Sequence, residues 1–301
     1  MNKTTKVWII IAVVLTVLGL AIFAVSMASY DWNFSELNTE EYITTSCQLK
    51  GDFDEIFIDV DTTDIEFAPA TEDECSILFF ESEKVRHYAQ VRNGTLFIGI
   101  EDNRKWYEFI QIVSKAPKMT IFLPQEEYLS LSIENDTGDL LIPKDFSFNK
   151  VEIDCDTSDI SWSSSVNDIM KIETDTGSVN IYSAVLSRLN ISTDTGDVKL
   201  SDLACDRIYC ESDTGDISLK NTVATNKFTI SSDTGDVRFK KSDAAEMYIK
   251  TNTGDVRGTL LSEKVFLADS STGNISLPKT TSGGKCEITT STGDIKIEIK
   301  P

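Results

Sequence analysis

The chain has 301 residues, of which 28 are basic and 49 acidic, giving a formal net charge of −21 at pH 7. This length allows one or two domains with a sizeable core. The acidic balance excludes nucleic acid as a partner, because phosphate recognition needs a basic surface. The single histidine, His87, excludes histidine-based zinc sites, and we expect it to be a surface or half-buried strand residue.

The first predicted element is a membrane-spanning helix. An uncharged apolar run begins at Val7 and is long enough to cross a bilayer. Lys3 and Lys6 precede it and acidic residues follow it, which places the N-terminus in the cytoplasm. We therefore predict a cytoplasmic tail over residues 1–6, a transmembrane anchor over residues 7–28 and an extracytoplasmic remainder in the cell membrane.

A cleaved signal peptide is the alternative to the anchor. Ser26, Met27 and Ala28 offer small residues at a cleavage site, although the apolar run is longer than a usual signal core. Either segment exports the rest of the chain. Residues 29–48 are polar and acidic and predict a stalk.

Residues 49–124 predict an N-terminal β region. It opens with an isolated copy, Ile56–Phe67, of the repeat that fills the rest of the chain. Asn93-Gly94 between two apolar runs is typical of a type I′ hairpin. We expect antiparallel strands here that cover the first coil of the array. The apolar runs are Ile77–Phe80, Val85–Val91, Thr95–Ile100, Trp106–Val113 and Met119–Leu123.

Residues 125–301 are organised by the tetrapeptide Asp-Thr-Gly-Asp, which recurs nine times in recognisable form at a spacing of 19 or 20 residues. A fixed period of this length indicates a stacked repeat array. Its central threonines are Thr137, Thr157, Thr176, Thr195, Thr214, Thr234, Thr253, Thr272 and Thr292.

Apolar residues lie six and four positions before each central threonine and three and five after it, as Leu189, Ile191, Val198 and Leu200 illustrate. This alternation predicts a strand on each side of a tight turn. One coil buries too little to fold alone, so coils must stack in parallel. We predict an all-β fold: a single-stranded parallel β-solenoid (β-helix), right-handed by the crossover rule, with an antiparallel β lead-in and one transmembrane helix before it. Ile295–Pro301 should form its last, bare strand.

Turn chemistry accounts for the tetrapeptide: the first Asp accepts from the backbone two residues on, and Gly supplies a positive φ. Stacking would align the aspartates in two columns that repel unless amides or cations compensate. Calcium is one such cation, although the spacing is not that of known calcium solenoids, and solvated turns without a cofactor are the main prediction. The candidate calcium ligands are Asp194, Asp197, Asp213, Asp216, Asp233 and Asp236.

Two other motifs have structural explanations. Asp175-Thr176-Gly177-Ser178 matches the active-site tetrapeptide of aspartic proteases, but it is one of nine variants of a turn, and such enzymes need two aspartates that share a proton. Thr-x-Thr pairs such as Thr193 and Thr195 resemble ice-binding arrays. The first Thr of each pair shares parity with the core, which predicts an inward hydroxyl ladder instead.

The six cysteines occupy unrelated offsets in the repeat. We predict free, mostly buried thiols that act as small apolar residues, and we do not expect Cys205 and Cys210 to pair.

The N-terminal anchor, the lead-in ending in Ile121-Phe122-Leu123-Pro124 and the Ile-x-Thr-Asp-Thr-Gly-Asp-Val units resemble a bacterial domain-of-unknown-function family of β-strand repeats. That family is described as adhesin-like and includes LiaG-like proteins of envelope-stress operons. The resemblance covers about residues 50–301. It implies an extracytoplasmic β-solenoid on a bacterial membrane, and it brings no catalytic residues.

We therefore predict a non-enzymatic surface protein that binds a cell-envelope component or another surface protein. The alternative is a polysaccharide-acting β-helix enzyme that uses clustered carboxylates, which would require Lys or Arg beside those carboxylates in a cleft. The basic residues of the array look scattered in sequence, which favours the first hypothesis. They are Lys199, Arg238, Lys240, Lys241 and Arg257.

Overall fold

The computed structural model describes residues 2–29, 32, 42–104 and 116–300. Helix α1 (Lys3–Ser29) has apolar residues all around, and its segment Thr4–Ser29 is long and apolar enough to cross a membrane. Its large apolar side chains from Val7 to Val25 are exposed, and Met27 near its end is buried. The buried apolar cluster runs from Leu49 to Ile297 and takes no side chain from α1. The β structure therefore has a core independent of the helix.

The lead-in contains the first coil and the strands that extend both sheets beyond one end of it. Its strands are β1 (Tyr42–Gln48), β2 (Glu55–Thr62), β3 (Asp64–Pro69), β4 (Ser76–Ser82), β5 (Val85–Arg92), β6 (Thr95–Asp102) and β7 (Lys118–Leu123). β1 occupies the end of the segment predicted as a stalk, and the predicted apolar run Trp106–Val113 lies outside the described residues. Asn93 and Gly94 have φ values of 53° and 83° and join β5 to β6, which confirms the predicted hairpin.

The array repeats one pattern of a long strand, the tetrapeptide turn, a short strand and a second turn. Its long strands are β8 (Glu127–Thr137), β10 (Ser147–Thr157), β12 (Ser165–Thr176), β14 (Leu186–Thr195), β16 (Ala204–Thr214), β18 (Val223–Thr234), β20 (Asp243–Thr253), β22 (Lys264–Thr272) and β24 (Gly284–Thr292). Its short strands are β9 (Leu140–Ile142), β11 (Ile160–Trp162), β13 (Val179–Tyr182), β15 (Val198–Ser201), β17 (Ile217–Lys220), β19 (Val237–Lys240), β21 (Val256–Leu260), β23 (Ile275–Ser276) and β25 (Ile295–Ile299).

Each strand pairs in parallel with its equivalent in the next coil. Ile153 is opposite Ile172, and Ile172 is opposite Ile191. The long strands form a 12-stranded sheet in the order β22-β24-β20-β18-β16-β14-β12-β10-β8-β2-β6-β5. The short strands form a 13-stranded sheet in the order β1-β4-β7-β3-β9-β11-β13-β15-β17-β19-β21-β25-β23. This confirms the predicted parallel β-solenoid, and its handedness stays a prediction.

The lead-in is antiparallel only in its outer strands. β6 and β7 first extend the two sheets in parallel with β2 and β3. β5, β4 and β1 then add in antiparallel orientation. These outer strands cover the backbone edge that the first coil would expose.

The prediction that the C-terminal strand ends the rod is wrong. β24 inserts between β20 and β22, and β25 inserts between β21 and β23. The coil of β24 and β25 carries the full apolar pattern and buries it, as at Ile288 and Ile295, whereas the register partners of these residues on β22 and β23, Ala268 and Ile275, are half-buried and exposed. The more completely apolar coil therefore lies inside, and the less apolar coil ends the rod.

The predicted inward and outward positions are confirmed. Leu189, Ile191, Val198 and Leu200 are buried, as are most of their equivalents along the array outside the terminal coil of β22 and β23. The predicted hydroxyl ladder faces the core, which removes it from any ice-binding surface. Its buried members include Thr174, Thr193, Ser212, Ser232, Thr251 and Thr290.

The second turn has its own stacked residues in the left-handed region. Ser183, Asp202, Asn221 and Lys241 have φ values of 55°, 57°, 49° and 52°. The Asn221 N–H donates to the Lys240 carbonyl of the next coil at 2.8 Å. Both turns thus keep their backbone groups paired between coils.

Candidate functional site

The tetrapeptide turns form one continuous edge of the rod. Within each turn the Gly N–H, two residues after the first Asp, donates to the threonine carbonyl of the next coil, as Gly196 does to Thr214 at 2.9 Å. The sequence-based expectation that the first Asp accepts this N–H is therefore wrong. The Gly amide is already hydrogen-bonded to the stacked coil, so it has no need of the Asp side chain as an acceptor.

Glycine in the turn is required by close approach between coils. A Cβ on Gly196 would lie 1.9 Å from the Gly177 carbonyl oxygen, and one on Gly235 would lie 2.0 Å from that of Gly215. φ is also positive, 159° and 157° at these two positions. Ser158 stands in place of Gly in one turn and is buried, without a positive φ.

The second Asp of each turn caps the backbone of the neighbouring coil. Asp216 Oδ1 accepts the Asp236 N–H at 2.8 Å, and Asp236 Oδ1 accepts the Asp255 N–H at 2.8 Å. The same bond links Asp64 to Asp139, Asp139 to Asp159, Asp159 to Ser178, Asp197 to Asp216, Asp255 to Asp294 and Asp294 to Asn274. A charged acceptor on an amide is among the stronger hydrogen bonds, so this column holds the coils together.

Basic side chains neutralise the same column. Arg238 bridges Asp216 and Asp236, the latter at 2.6 Å, and Lys199 lies 3.2 Å from Asp197. Arg257 lies 2.5 Å from Asp255. The structure thus gathers three of the basic residues that look scattered in sequence.

The acidity of Asp216 follows from these contacts. Burial acts to raise the pKa of Asp216, but the Asp236 amide and the Arg238 guanidinium together outweigh it and lower that pKa. Both Asp216 and Arg238 lie on an exposed sheet face, with side-chain exposures of 39% and 51%. A basic residue beside clustered carboxylates is present, but it lies on an open surface.

The candidate calcium ligands fall into two different environments. Asp194, Asp213 and Asp233 are exposed at the outer side of the turn, where Asn252 donates to Asp233 at 2.8 Å. Asp197, Asp216 and Asp236 are engaged by amides and basic side chains. Within the described ranges, no group of three or more His, Cys, Asp or Glu residues is arranged to hold a metal ion. Calcium takes six to eight oxygen ligands, which this donor set fits poorly.

Asp175 is exposed in the same column of turns, and Thr176 pairs in register with Thr195 of the next coil. The Gly177 N–H donates to the Thr195 carbonyl at 2.9 Å, as in the other turns. The protease-like tetrapeptide therefore has the geometry of its neighbours, and its one aspartate, Asp175, belongs to a strand-spaced column instead of a shared-proton pair.

His87 belongs to a buried hydrogen-bonded chain, so the expectation of a surface or half-buried residue is wrong. His87 Nε2 lies 2.9 Å from Thr63 Oγ1, and Nδ1 lies 3.0 Å from Glu81 Oε2. Burial lowers the pKa of His87, against the opposing effect of Glu81. Thr63 is fully buried, so this Thr–His–Glu chain of hydrogen bonds connects the lead-in to the first coil and is inaccessible to a substrate. No local motif signals it, because the three residues come from separate strands and turns.

Surface cavities lie away from the aspartate columns. One of about 480 Å³ is lined by Phe67, Leu141, Pro143 and Tyr182, among others. A second of about 160 Å³ lies on the outer face of the long sheet beside Tyr209. Neither is lined by a residue of the two columns.

All six cysteines are free, which confirms the prediction, and only Cys47 is not fully buried. Burial raises the pKa of Cys205 and of Cys210 to about 12. Such thiols stay protonated at neutral pH and are poor nucleophiles and metal ligands.

The sequence profile of the family described as Toastrack DUF4097 matches residues 53–206 and 182–301. The chain belongs to the Toastrack DUF4097 family. No curated protein matches the Toastrack chain.

Solved structures similar to this Toastrack chain come from other bacteria. A "putative adhesin (BF0245)" from Bacteroides fragilis NCTC 9343 is 18% identical, with a TM-score of 0.46 over 87% of this chain and 99% of that one. A "putative lipid binding protein" from Parabacteroides distasonis ATCC 8503 is 13% identical, with a TM-score of 0.37 over 86% and 97%. A "putative adhesin" from the same strain is 12% identical, with a TM-score of 0.35 over 86% and 98%.

Proposed function

We propose that the protein is a membrane-anchored, extracytoplasmic binding protein of the cell envelope, and that its rod is the binding surface. The observation that carries the proposal is that one chain combines an apolar, membrane-length helix with a long two-sheet rod that has its own core. A rod of this kind presents the same outward positions at each coil, at steps of ~4.8 Å. Repeated positions suit an extended partner.

The orientation follows from charge. Lys3 and Lys6 precede the helix, and the chain after it is strongly acidic. The positive-inside rule then favours a cytoplasmic N-terminus and an external rod. An anionic membrane surface would repel such a domain, which favours partners beyond the bilayer.

A non-enzymatic role is supported by the state of the carboxylates. Asp197, Asp216 and Asp236 are hydrogen-bonded to backbone amides between coils, so a reaction that used them would disturb the stacking. The Arg238 ion pairs favour the alternative, a polysaccharide-acting enzyme, because they place a cation beside two carboxylates. Release of new sugar ends from envelope polysaccharide by the purified rod would support that alternative and overturn ours.

Two measurements test the proposal. Protease added to intact cells should degrade the protein beyond about residue 31 and leave a small membrane fragment, whereas protection until lysis would contradict the orientation. The ectodomain, residues 42–301, should sediment with purified envelope fragments. An ectodomain that stays in the supernatant at every salt concentration would contradict the binding role.

A further inference from the structure

The outer face of the short sheet changes character along the rod. The position two residues after the second Asp is uncharged in the first coils of the array, at Leu141, Ser161 and Asn180. From the coil of β15 onward the same position becomes mostly basic. Its residues there are Lys199, Ser218, Arg238, Arg257, Lys296 and Ser276, which stand in register.

Most of this positive charge is neutralised within the protein. Lys199, Arg238 and Arg257 contact the aspartate column beside them. Lys296 lies 3.9 Å from Glu298. These side chains extend the stacking network and are already engaged.

Three lysines further across the same face form no ion pair in the part of the chain that the structure describes. Lys220 and Lys240 are register partners on β17 and β19, and Lys241 follows in the second turn. All three are exposed. We call Lys220, Lys240 and Lys241 the lysine cluster.

The lysine cluster carries uncompensated charge. Lys220 and Lys240 lie opposite each other on adjacent strands ~4.8 Å apart, and like charges in this position destabilise a sheet. The nearby carboxylate of Asp202 accepts from Asn221 at 2.8 Å, and those of Asp216 and Asp236 hold Arg238. The net charge of −21 makes the surface as a whole repel phosphate polymers, nucleic acid included, whereas this patch is locally positive and attracts the phosphates that reach it.

We propose that the lysine cluster binds a linear phosphodiester polymer of the cell envelope. An ammonium group is a compact point charge that suits phosphate, and the guanidinium of Arg238 beside the cluster has both ends on aspartates. A single phosphate on exposed lysines would be held weakly. A chain that meets the lysines of both coils, Lys220 on one and Lys240 with Lys241 on the next, gains from effective concentration. This inference rests on the proposed function, because it places the face outside the cell.

The distribution of charge on this face favours a linear polymer over a lipid surface as the ligand. The lysine cluster is a narrow strip at the ends of β17 and β19, whereas Asp216 and Asp236 of the aspartate column precede the same two strands. A planar anionic membrane would bring negative charge against both, whereas a single chain can follow the lysines alone.

The test uses the ectodomain and purified poly(glycerol phosphate), with calorimetry at several salt concentrations. A Lys220→Gln, Lys240→Gln, Lys241→Gln variant should bind roughly a hundredfold more weakly at low salt, from about a fivefold loss per lysine. The slope of log affinity against log salt should become shallower by about 2, since each lost phosphate contact contributes about 0.7.

A matched control removes the same charge from the other sheet. Lys150→Gln, Lys171→Gln, Lys285→Gln alters exposed or half-buried lysines that pair with glutamates on the long sheet. This control should keep the affinity, and both variants should keep the wild-type melting temperature within about 2 °C. An equal loss in both variants would overturn the proposal in favour of a net-charge effect.

Other outcomes also decide. Absence of binding to the polymer, or lysine-dependent binding only to vesicles of anionic phospholipid, would overturn the proposal. If the cluster variant sediments with envelope fragments as the wild type does, the polymer site is wrong while the envelope-binding role stands. If the wild type itself does not sediment, the broader role is wrong.

Discussion

Gly196→Ala should open the middle of the rod. The new Cβ would lie 1.9 Å from the Gly177 carbonyl oxygen and 2.6 Å from its carbonyl carbon, and these atoms are backbone that no rotamer change can move. Relief requires the two coils to separate, which strains the hydrogen bond from the Gly177 N–H to the Thr195 carbonyl between them. Backbone strain of ~1–3 kcal/mol plus ~0.5–1.5 kcal/mol for a weakened hydrogen bond gives a loss of about 2–4 kcal/mol.

Urea unfolding of the ectodomain measures this loss. The matched control is Ser158→Ala, because that turn already accommodates a Cβ at the same position in the repeat. It should change the free energy of unfolding by less than about 1 kcal/mol. Equal destabilisation by the two substitutions would show that close approach between coils does not select glycine.

Three further predictions concern the core, the lead-in and the distal end. Ile191→Asp buries an unpaired charge and should cost several kcal/mol in urea unfolding. Lys199→Asp should cost only about 1 kcal/mol, because it replaces an exposed ion pair with Asp197 by a screened repulsion, and equal costs would contradict the inward and outward assignment. Because burial lowers the pKa of His87 below its ordinary 6.5, the unfolded state binds a proton first as the pH falls, so stability should decline from about pH 7 to 5.5. His87→Gln should reduce that decline in urea titrations, and an unchanged pH dependence would refute the assignment. Lys264→Met leaves the buried Asp243 carboxylate without its partner at 2.6 Å and should cost ~3–5 kcal/mol of stability. Hydrogen exchange should become faster in β22, and adding Asp243→Asn should recover most of the lost stability.

The coil and its core could be predicted from sequence because one short-range rule covers them. Alternation of apolar residues on both sides of a turn fixes which side chains face inward, and a constant period fixes the register between coils. Ile153, Ile172 and Ile191 are opposite each other for this reason. The buried hydroxyls at Thr193 and Thr251 follow from the same parity.

The contacts between coils could not be predicted in the same way. The tetrapeptide specifies a turn, but whether Asp216 accepts from its own turn or from the Asp236 amide depends on how closely the coils approach. The insertion of β24 between β20 and β22 depends on which coil buries more apolar surface, a comparison that no local pattern makes. His87 and Thr63 meet through the lead-in, far apart in sequence.

Thermal unfolding of the ectodomain in calcium decides whether the repeated tetrapeptide joins the coils or binds metal. Millimolar calcium should raise the melting temperature no more than sodium chloride of the same ionic strength, because Asp197, Asp216 and Asp236 are already engaged and only screening remains. A calcium-specific gain, of ~2.7 kcal/mol per site at a hundredfold excess over Kd, would contradict this. If Asp213→Asn together with Asp216→Asn abolished that gain, the aspartate columns would be shown to bind calcium.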